Sequence, residues 1–285
     1  MALFQDWLRN DDAAPDWSRK GLLAMTPDRM AYDGRIGSRS LRSLGAHAIY
    51  ASADGPIRLW SHGHWTSNLD IALVKPFTEH LVSSGGRITE ILIEIESVDA
   101  AEFQASWEAL TPIQQRTAPA RIAEAVRYCQ DDPERLQQHG FDMLFFGKDL
   151  PRRELDPRIA RVVELIRSTP DGPGLSVRDL ACAVDLSPSR LTHFFREQLE
   201  TTIRRFRAWK RARMVVPIAL EEHNLLNLAM EAGYADSTHF SHSMRSFFGM
   251  KARDLCEGSR RVAVSMSAPI RNGIHHRNEG LSLIG

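Results

Sequence analysis

Apolar and polar positions change period along the chain. Over residues 39–95 the apolar residues come in short runs broken by turn signals: HAIYAS, ADGP, IRLW, DIALVKP, EHLVS, SSGG and RITEILIEI. The last run alternates, with Ile91, Ile93 and Ile95 on one side and Glu90, Leu92 and Glu94 on the other, as a strand does. Several such strands at close spacing predict a small barrel or sandwich over 39–98, after an N-terminal arm over 1–38. From residue 99 the period lengthens, and VDAAEFQASWEAL, APARIAEAVRYCQ and DPERLQQHGFDMLFFG read as helices over 99–148. Ile122, Ala125, Val126 and Cys129 form a stripe there that suits packing on the strands or on a second subunit. DLPRRELDP, charged and interrupted by proline, predicts a linker over 149–157. The tail over 258–285 has no periodicity and is expected to be disordered.

Residues 175–256 contain one pattern twice. Leu180, Ala181, Val184 and Leu186 recur 48 positions later as Leu228, Ala229, Ala232 and Tyr234. Leu191, Phe195, Arg196 and Leu199 recur 49 positions later as Phe240, Met244, Arg245 and Phe248. One residue inserted in the turn accounts for the change of offset. Each copy is a short apolar helix, a tight turn, a polar cap and a longer helix with one polar face, the sequence form of helix-turn-helix. Ser176-Val177-Arg178-Asp179 is a capping box, Ser187-Pro188 reads as N-cap and N1, and Asp236 is the N-cap of the last helix. Asp185 and Gly233 occupy the same turn, where a left-handed residue is needed.

The stripes of the two longer helices, Leu191, Phe194 and Phe195, then Phe240, Met244, Phe247 and Phe248, leave opposite faces rich in Ser, Thr, His and Arg. Such short hydrogen-bonding groups beside an arginine suit a helix lying in the major groove of DNA. Between the units, Arg204, Arg205, Arg207, Lys210, Arg211 and Arg213 crowd ten residues of a predicted helix over 203–221. Like charges four residues apart repel, and phosphate would offset that repulsion.

LSPSRLTHFFREQL, the arginine-rich connector and AGYADSTHFSHSMRSFFG together resemble the DNA-binding domain of AraC/XylS-type transcriptional regulators over about residues 156–256. The resemblance implies an all-α domain over 158–257, with two helix-turn-helix units joined by one long helix, acting on double-stranded promoter DNA as an activator. It places Ser189, Arg190, Thr192, His193 and Arg196 in the first recognition helix and Thr238, His239, Ser241, His242 and Arg245 in the second, while Arg207, Lys210 and Arg211 are the connector's expected phosphate contacts. It further implies a homodimer and contact with RNA polymerase. The chain departs from the pattern at Glu200, where its own second copy has Gly249, at Pro217 inside the connector, and at Lys251-Ala252 after the second unit. Pro217 is expected to bend the connector and so to change the relative aim of the two readers.

The strand region is similar, more weakly, to the cupin-like sensor domain that precedes the DNA-binding domain in this family. The overall expectation is therefore α+β, a cupin-like β-barrel with helices followed by the all-α domain. Trp60, Trp65 and Phe77 are candidates to line an effector pocket. His47, His62, His64, Glu79 and His80 are the candidate metal ligands, but no H-x-H is followed at short interval by a glutamate and a further histidine, so no metal, cofactor or catalytic residue is expected. The alternative is a cupin-type metal enzyme carrying a DNA-binding appendage.

Charge adds one asymmetry to this picture. The net charge is zero, yet residues 1–150 hold 15 Lys/Arg against 21 Asp/Glu, and residues 151–285 hold 21 against 15. An acidic front and a basic back suggest that only the back half meets a polyanion. The start, MALFQDWLRNDDAAPDW, has no basic and apolar leader pattern, and no run approaches the roughly 18 apolar residues of a membrane span, which predicts a cytoplasmic protein. Cys129, Cys182 and Cys256 are three in number and lack metal-like spacing, so they read as plain thiols.

Overall fold

The computed structural model describes residues 21–34, 40–168, 175–219, 224–252 and 262–266. The strands are β1 (Gly21–Met25), β2 (Arg29–Gly34), β3 (Ala46–Ala51), β4 (Ile57–Ser61), β5 (His64–Leu69), β6 (Ile71–Val74), β7 (His80–Ser84), β8 (Ile88–Glu94) and β9 (Val262–Met266). The helices are α1 (Ala100–Glu108), α2 (Pro112–Asp131), α3 (Arg135–His139), α4 (Phe141–Phe146), α5 (Pro157–Ser168), α6 (Val177–Cys182), α7 (Pro188–Leu199), α8 (Ile203–Ile218), α9 (Leu225–Glu231) and α10 (Ser237–Phe248).

Among the described residues no sheet closes, which corrects the expected cupin-like barrel. One sheet has six strands in the order β6-β3-β8-β2-β1-β9, and the other has three in the order β5-β4-β7. The pairings are antiparallel except β1 with β9. The physical reason lies in what covers the large sheet. A barrel would bury the inward face of its strands against its own far wall. Here Leu23, Met25, Met30, Ala48, Tyr50 and Leu92 share one cluster with Ile57, Leu59 and Val82 of the small sheet and with Trp209, Ala212, Val215, Phe240 and Met244 of α8 and α10. Helices from the C-terminal half fill the place a closing wall would take.

The opposite face of the large sheet, with Leu22, Ala24, Ala31, Ile49, Ala51, Ile91 and Ile93, packs under Phe103, Ile122, Val126, Cys129, Phe141 and Phe145. The stripe of α2 thus lies on the chain's own sheet. α2 starts from a capping box between Thr111 and Gln114 with Pro112 at its first turn. A third cluster, with Val162, Ile166, Leu180, Leu191, Phe195, Leu199 and Phe206, belongs to α5 to α8.

Two segments read as arm and tail contribute strands. β1 and β2 lie within 1–38, and β9 lies within 258–285 as a parallel partner of β1, Leu22 opposite Ala263 and Leu23 opposite Val264. Residues 1–20, 35–39, 253–261 and 267–285, Cys256 among them, lie outside the described residues.

The polar side of β8 is buried too, because β8 is interior to the sheet and covered on both faces. Glu94 is fully buried, and Trp209 Nε1 donates to its Oε2 at 2.9 Å. Lys210 Nζ bridges Glu94 and Glu96, and Arg213 Nε lies 2.8 Å from Glu94 Oε1. Arg213 Nη2 also donates to the carbonyls of Thr26 and Arg29 at 2.7 and 3.0 Å. Burial pushes the Glu94 carboxyl up, but Lys210 and Arg213 more than reverse this and hold it below the ordinary carboxylate range. Removing one partner of such a cluster leaves an uncompensated charge in a dry place, so Lys210→Met is expected to cost about 3–5 kcal/mol of unfolding free energy. Arg204→Ala, at an exposed site on the same helix, should stay within about 0.5 kcal/mol. Urea unfolding of the two variants checks this, and equally small effects would mean that the cluster does not hold the halves together.

Candidate nucleic-acid interface

The two helix-turn-helix units repeat down to single hydrogen bonds. Leu186 N donates to Ala181 O at 2.9 Å, and Tyr234 N donates to Ala229 O at 2.9 Å. The turn residue before each donor is left-handed, Asp185 at φ 53° and Gly233 at φ 71°. The longer helices start from side-chain caps, Ser187 accepting from Arg190 N and Asp236 from His239 N. They end alike, at Glu200 with φ 54° and Gly249 with φ 64°. Glu200 therefore adopts the conformation that favours glycine, at a cost of about 1 kcal/mol. The capping box of Ser176 and Asp179 forms as expected.

Within α7 the residues Leu191, Phe195 and Leu199 are buried, while Ser189, Arg190, Thr192, His193 and Arg196 are exposed. The His193 side chain is 85% exposed. Within α10 the residues Phe240, Met244, Phe247 and Phe248 are buried, Thr238, His239, His242 and Arg245 are exposed and Ser241 is half-buried. The structure thus gathers the expected reading residues on two polar faces. His193 and Arg196 stand at the same places in their helix as His242 and Arg245.

The connector differs from expectation in its charges. α8 runs 16 residues, Ile203–Ile218, so Pro217 sits in its last turn rather than at a bend in its middle. At about 1.5 Å per residue the helix spans about 24 Å. Lys210, expected at phosphate, is buried in the Glu94–Glu96 cluster. Arg207 Nη2 donates to Leu175 O just before α6, and the Arg211 guanidinium lies 5.7 Å from the Tyr234 ring of the second unit. Arg205 stacks over Phe77 at 4.2 Å. These cations bind the connector to its surroundings inside the molecule. Sequence reasoning missed Glu94 and Glu96 as the partners of Lys210 and Arg213; the signal was two carboxylates at the end of a strand with apolar residues on both faces.

The effector candidates do not form one pocket. Trp60 and Trp65 are paired across β4 and β5, half-buried on the face opposite Ile57 and Leu59, with Arg58 5.2 Å from the Trp65 ring. Phe77, left-handed at φ 58°, sits instead under Arg205 at the junction of the two halves. A cleft lined by Asp33, Asp54, Arg87, Thr89 and Arg127 lies elsewhere, between the large sheet and α2.

The metal candidates are likewise scattered. His62 and Gly63, at φ 50° and 86°, form the two-residue turn between β4 and β5, so His62 and His64 do not share a strand face. Glu79 is exposed and His80 buried. His47 packs edge-on against Phe103 at 5.3 Å, under the helices. His80 lies between the sheets, where its Nδ1 donates to Thr78 O at 2.8 Å and its Nε2 is 2.7 Å from the Tyr50 hydroxyl. That hydroxyl also lies 2.8 Å from Glu90, which Arg42 approaches at 3.7 Å, and its single hydrogen serves one neighbour at a time. Among the described residues no group of three or more His, Cys, Asp or Glu is placed to hold a metal ion.

Burial pulls both His47 and His80 down to about 4, aided by Arg153 and Lys75 at the first and by Arg42 at the second, where the Thr78 carbonyl opposes it. Both are therefore neutral in the folded protein at pH 7. Between about pH 6.5 and 4 the unfolded chain takes up these protons and the folded chain does not, so stability should fall with pH in that window, by up to about 3 kcal/mol per histidine. Urea midpoints from pH 7.5 to 4.5 measure it, and a His47→Gln, His80→Gln double variant should flatten the profile. An equally steep profile in that variant would place the effect on other groups.

Comparison with known proteins agrees with this geometry. Residues 180–257 match the family model described as a helix-turn-helix domain. No curated protein matches the chain. Among solved structures the chain is similar to ToxT from Vibrio cholerae O395, with 12% identity, a TM-score of 0.53, and 81% of this chain and 98% of that one covered. It is also similar to unsaturated fatty acid bound wild-type ToxT from Vibrio cholerae strain SCE256, with 12% identity, a TM-score of 0.50 and coverage of 80% and 94%. An AraC-type DNA-binding domain protein from Chromobacterium violaceum matches over 36% of this chain and 92% of its own, at 20% identity and a TM-score of 0.34. The AraC/XylS-type resemblance of the C-terminal half is borne out as a helix-turn-helix domain over residues 180–257 within a fold similar to that of ToxT. Among the described residues no helix is long and apolar enough to cross a membrane.

Proposed function

We propose, from the premise of an AraC/XylS-type double helix-turn-helix domain in the C-terminal half, that the chain is a sequence-specific regulator that reads promoter DNA with α7 and α10. The observation that carries the reading is the pair of equivalent exposed faces, Arg190, His193 and Arg196 on one helix and His239, His242 and Arg245 on the other. Arginine pairs with guanine in two bonds, and histidine, serine or threonine can reach several base edges, so these faces suit base readout. Ser189, Thr192, Thr238 and Ser241 supply the short polar contacts. Of the connector cations, Arg204 is exposed and suits a phosphate contact. The resemblance supports activation through RNA polymerase, a homodimer and a cytoplasmic setting, with the sheet domain as the effector-sensing or dimerising part.

Selection of bound sites from random DNA at several salt concentrations tests this reading. His193→Ala and His242→Ala should each relax preference at one half-site, by about 1–3 kcal/mol at the bases concerned. Arg204→Ala should weaken all sites to a similar degree and make the salt dependence shallower. Salt-sensitive binding with no sequence preference would reduce the function to phosphate contact.

A further inference from the structure

We infer that residues 40–45 position the second reading helix relative to the first, and so determine which spacing of half-sites the protein accepts; the inference rests on the DNA-reading function proposed above. This short segment is fixed to the N-terminal half along one side. Arg42 N donates to His80 O at 3.1 Å, and His80 N donates back to Arg42 O at 3.0 Å. Phe77 N donates to Leu44 O at 2.6 Å, and Leu44 is buried.

Along its other side the segment grips the end of α10. Ser43 N lies 3.1 Å from both Ser246 O and Phe247 O, carbonyls of the helix's last turn that have no partner within the helix. Gly249, which ends α10, is packed so closely that a Cβ there would stand 2.8 Å from Ser40 O. Gly45 lies against the Trp209 ring with no room for a Cβ. Trp209 in turn meets Phe247 and Phe248 with ring centres 5.6 and 5.5 Å away.

The first unit is held at another point, through the 149–157 segment and its contact with Val98. Arg153 donates to Val98 O at 3.1 Å and to Gln198 O at the end of α7, and Asp156 N donates to Gln198 Oε1 at 3.0 Å. Each reading helix is therefore anchored at its C-terminal end to a separate point of one body. α8 ends at Ile218, so α10 is placed by its contacts, those with Trp209 of α8 and those with residues 40–45. A clamped pair of readers must discriminate between spacings that differ by about half a helical turn, roughly 5 bp, because that shift turns the second groove away. A pair joined only through α8 would tolerate it.

The test uses the full chain and the half-sites recovered by selection, set at increasing separations. Wild type should prefer its best spacing over one about 5 bp longer by about tenfold or more. Ser43→Pro removes the N–H that meets Ser246 and Phe247, and should cut that preference to about threefold or less while leaving affinity for a single half-site within about twofold. Ser43→Ala keeps the N–H and should keep the preference. Gly249→Ala, which presses on Ser40 from the other side, should act like Ser43→Pro and replaces it if that variant does not unfold cooperatively. A wild-type spacing profile in either folded variant overturns the inference while the DNA-reading function stands. Absence of any sequence preference in the wild type overturns both.

Discussion

A carboxylate in a dry interior must be met by cations and donors, and Glu94 is the point where this requirement shapes the whole molecule. It stands on the interior strand β8, fully buried, with Lys210, Arg213 and Trp209 of α8 closing on it from the other half of the chain. Glu96 shares Lys210, and Arg167 of α5 bridges Asp28 at 2.7 Å while lying 3.9 Å from Glu96. The charge of the cluster is close to balanced, which is why it can be buried at all. Its consequence is that α8 is both the rod between two helix-turn-helix units and a wall of the sheet domain.

That double use explains why the sheet domain is open. Strands alone would have to curl and close to hide the face carrying Met30, Tyr50 and Leu92. With Trp209, Ala212 and Val215 supplying apolar cover, a large sheet and a small one suffice. Trp209 does both tasks in one side chain, filling the space against Phe247 and Phe248 while its ring nitrogen serves Glu94. The two halves share one apolar cluster, so a displacement at the sheet face must be felt by the connector helix.

Much of the C-terminal half was legible because its signals are local. The caps at Ser176, Ser187 and Asp236 and the turns at Asp185 and Gly233 act within a few residues, and each formed where the sequence placed it. The reading faces follow from helical period alone. The sheet topology was less legible, because alternation in 88–94 tells that two faces exist but not what covers them. The burial of Lys210 was the clearest miss. Its charge did require an anion, but Glu94 and Glu96 lie more than a hundred residues earlier, and one sequence does not show that they meet Lys210. The opposite charges of the two halves held the hint, since an acidic and a basic segment of one chain are each other's nearest polyion.

The two readers also carry unequal backbone loads. The second unit has glycine at both left-handed positions, whereas the first has Asp185 and Glu200 there, each less at ease in that conformation. Aspartate tolerates it through its short polar side chain, but glutamate has no such compensation, so Glu200 must be held by its surroundings. Those surroundings are Leu199 and Ile203, buried on either side of it in the core of the first unit, and Gln198, tied to Arg153 and Asp156. A strained cap next to an anchored residue is stable only while the anchor is in place. Loosening of the contacts to Arg153 and Asp156 would thus reach the end of α7, and the second unit, with its glycines, has less strain to release.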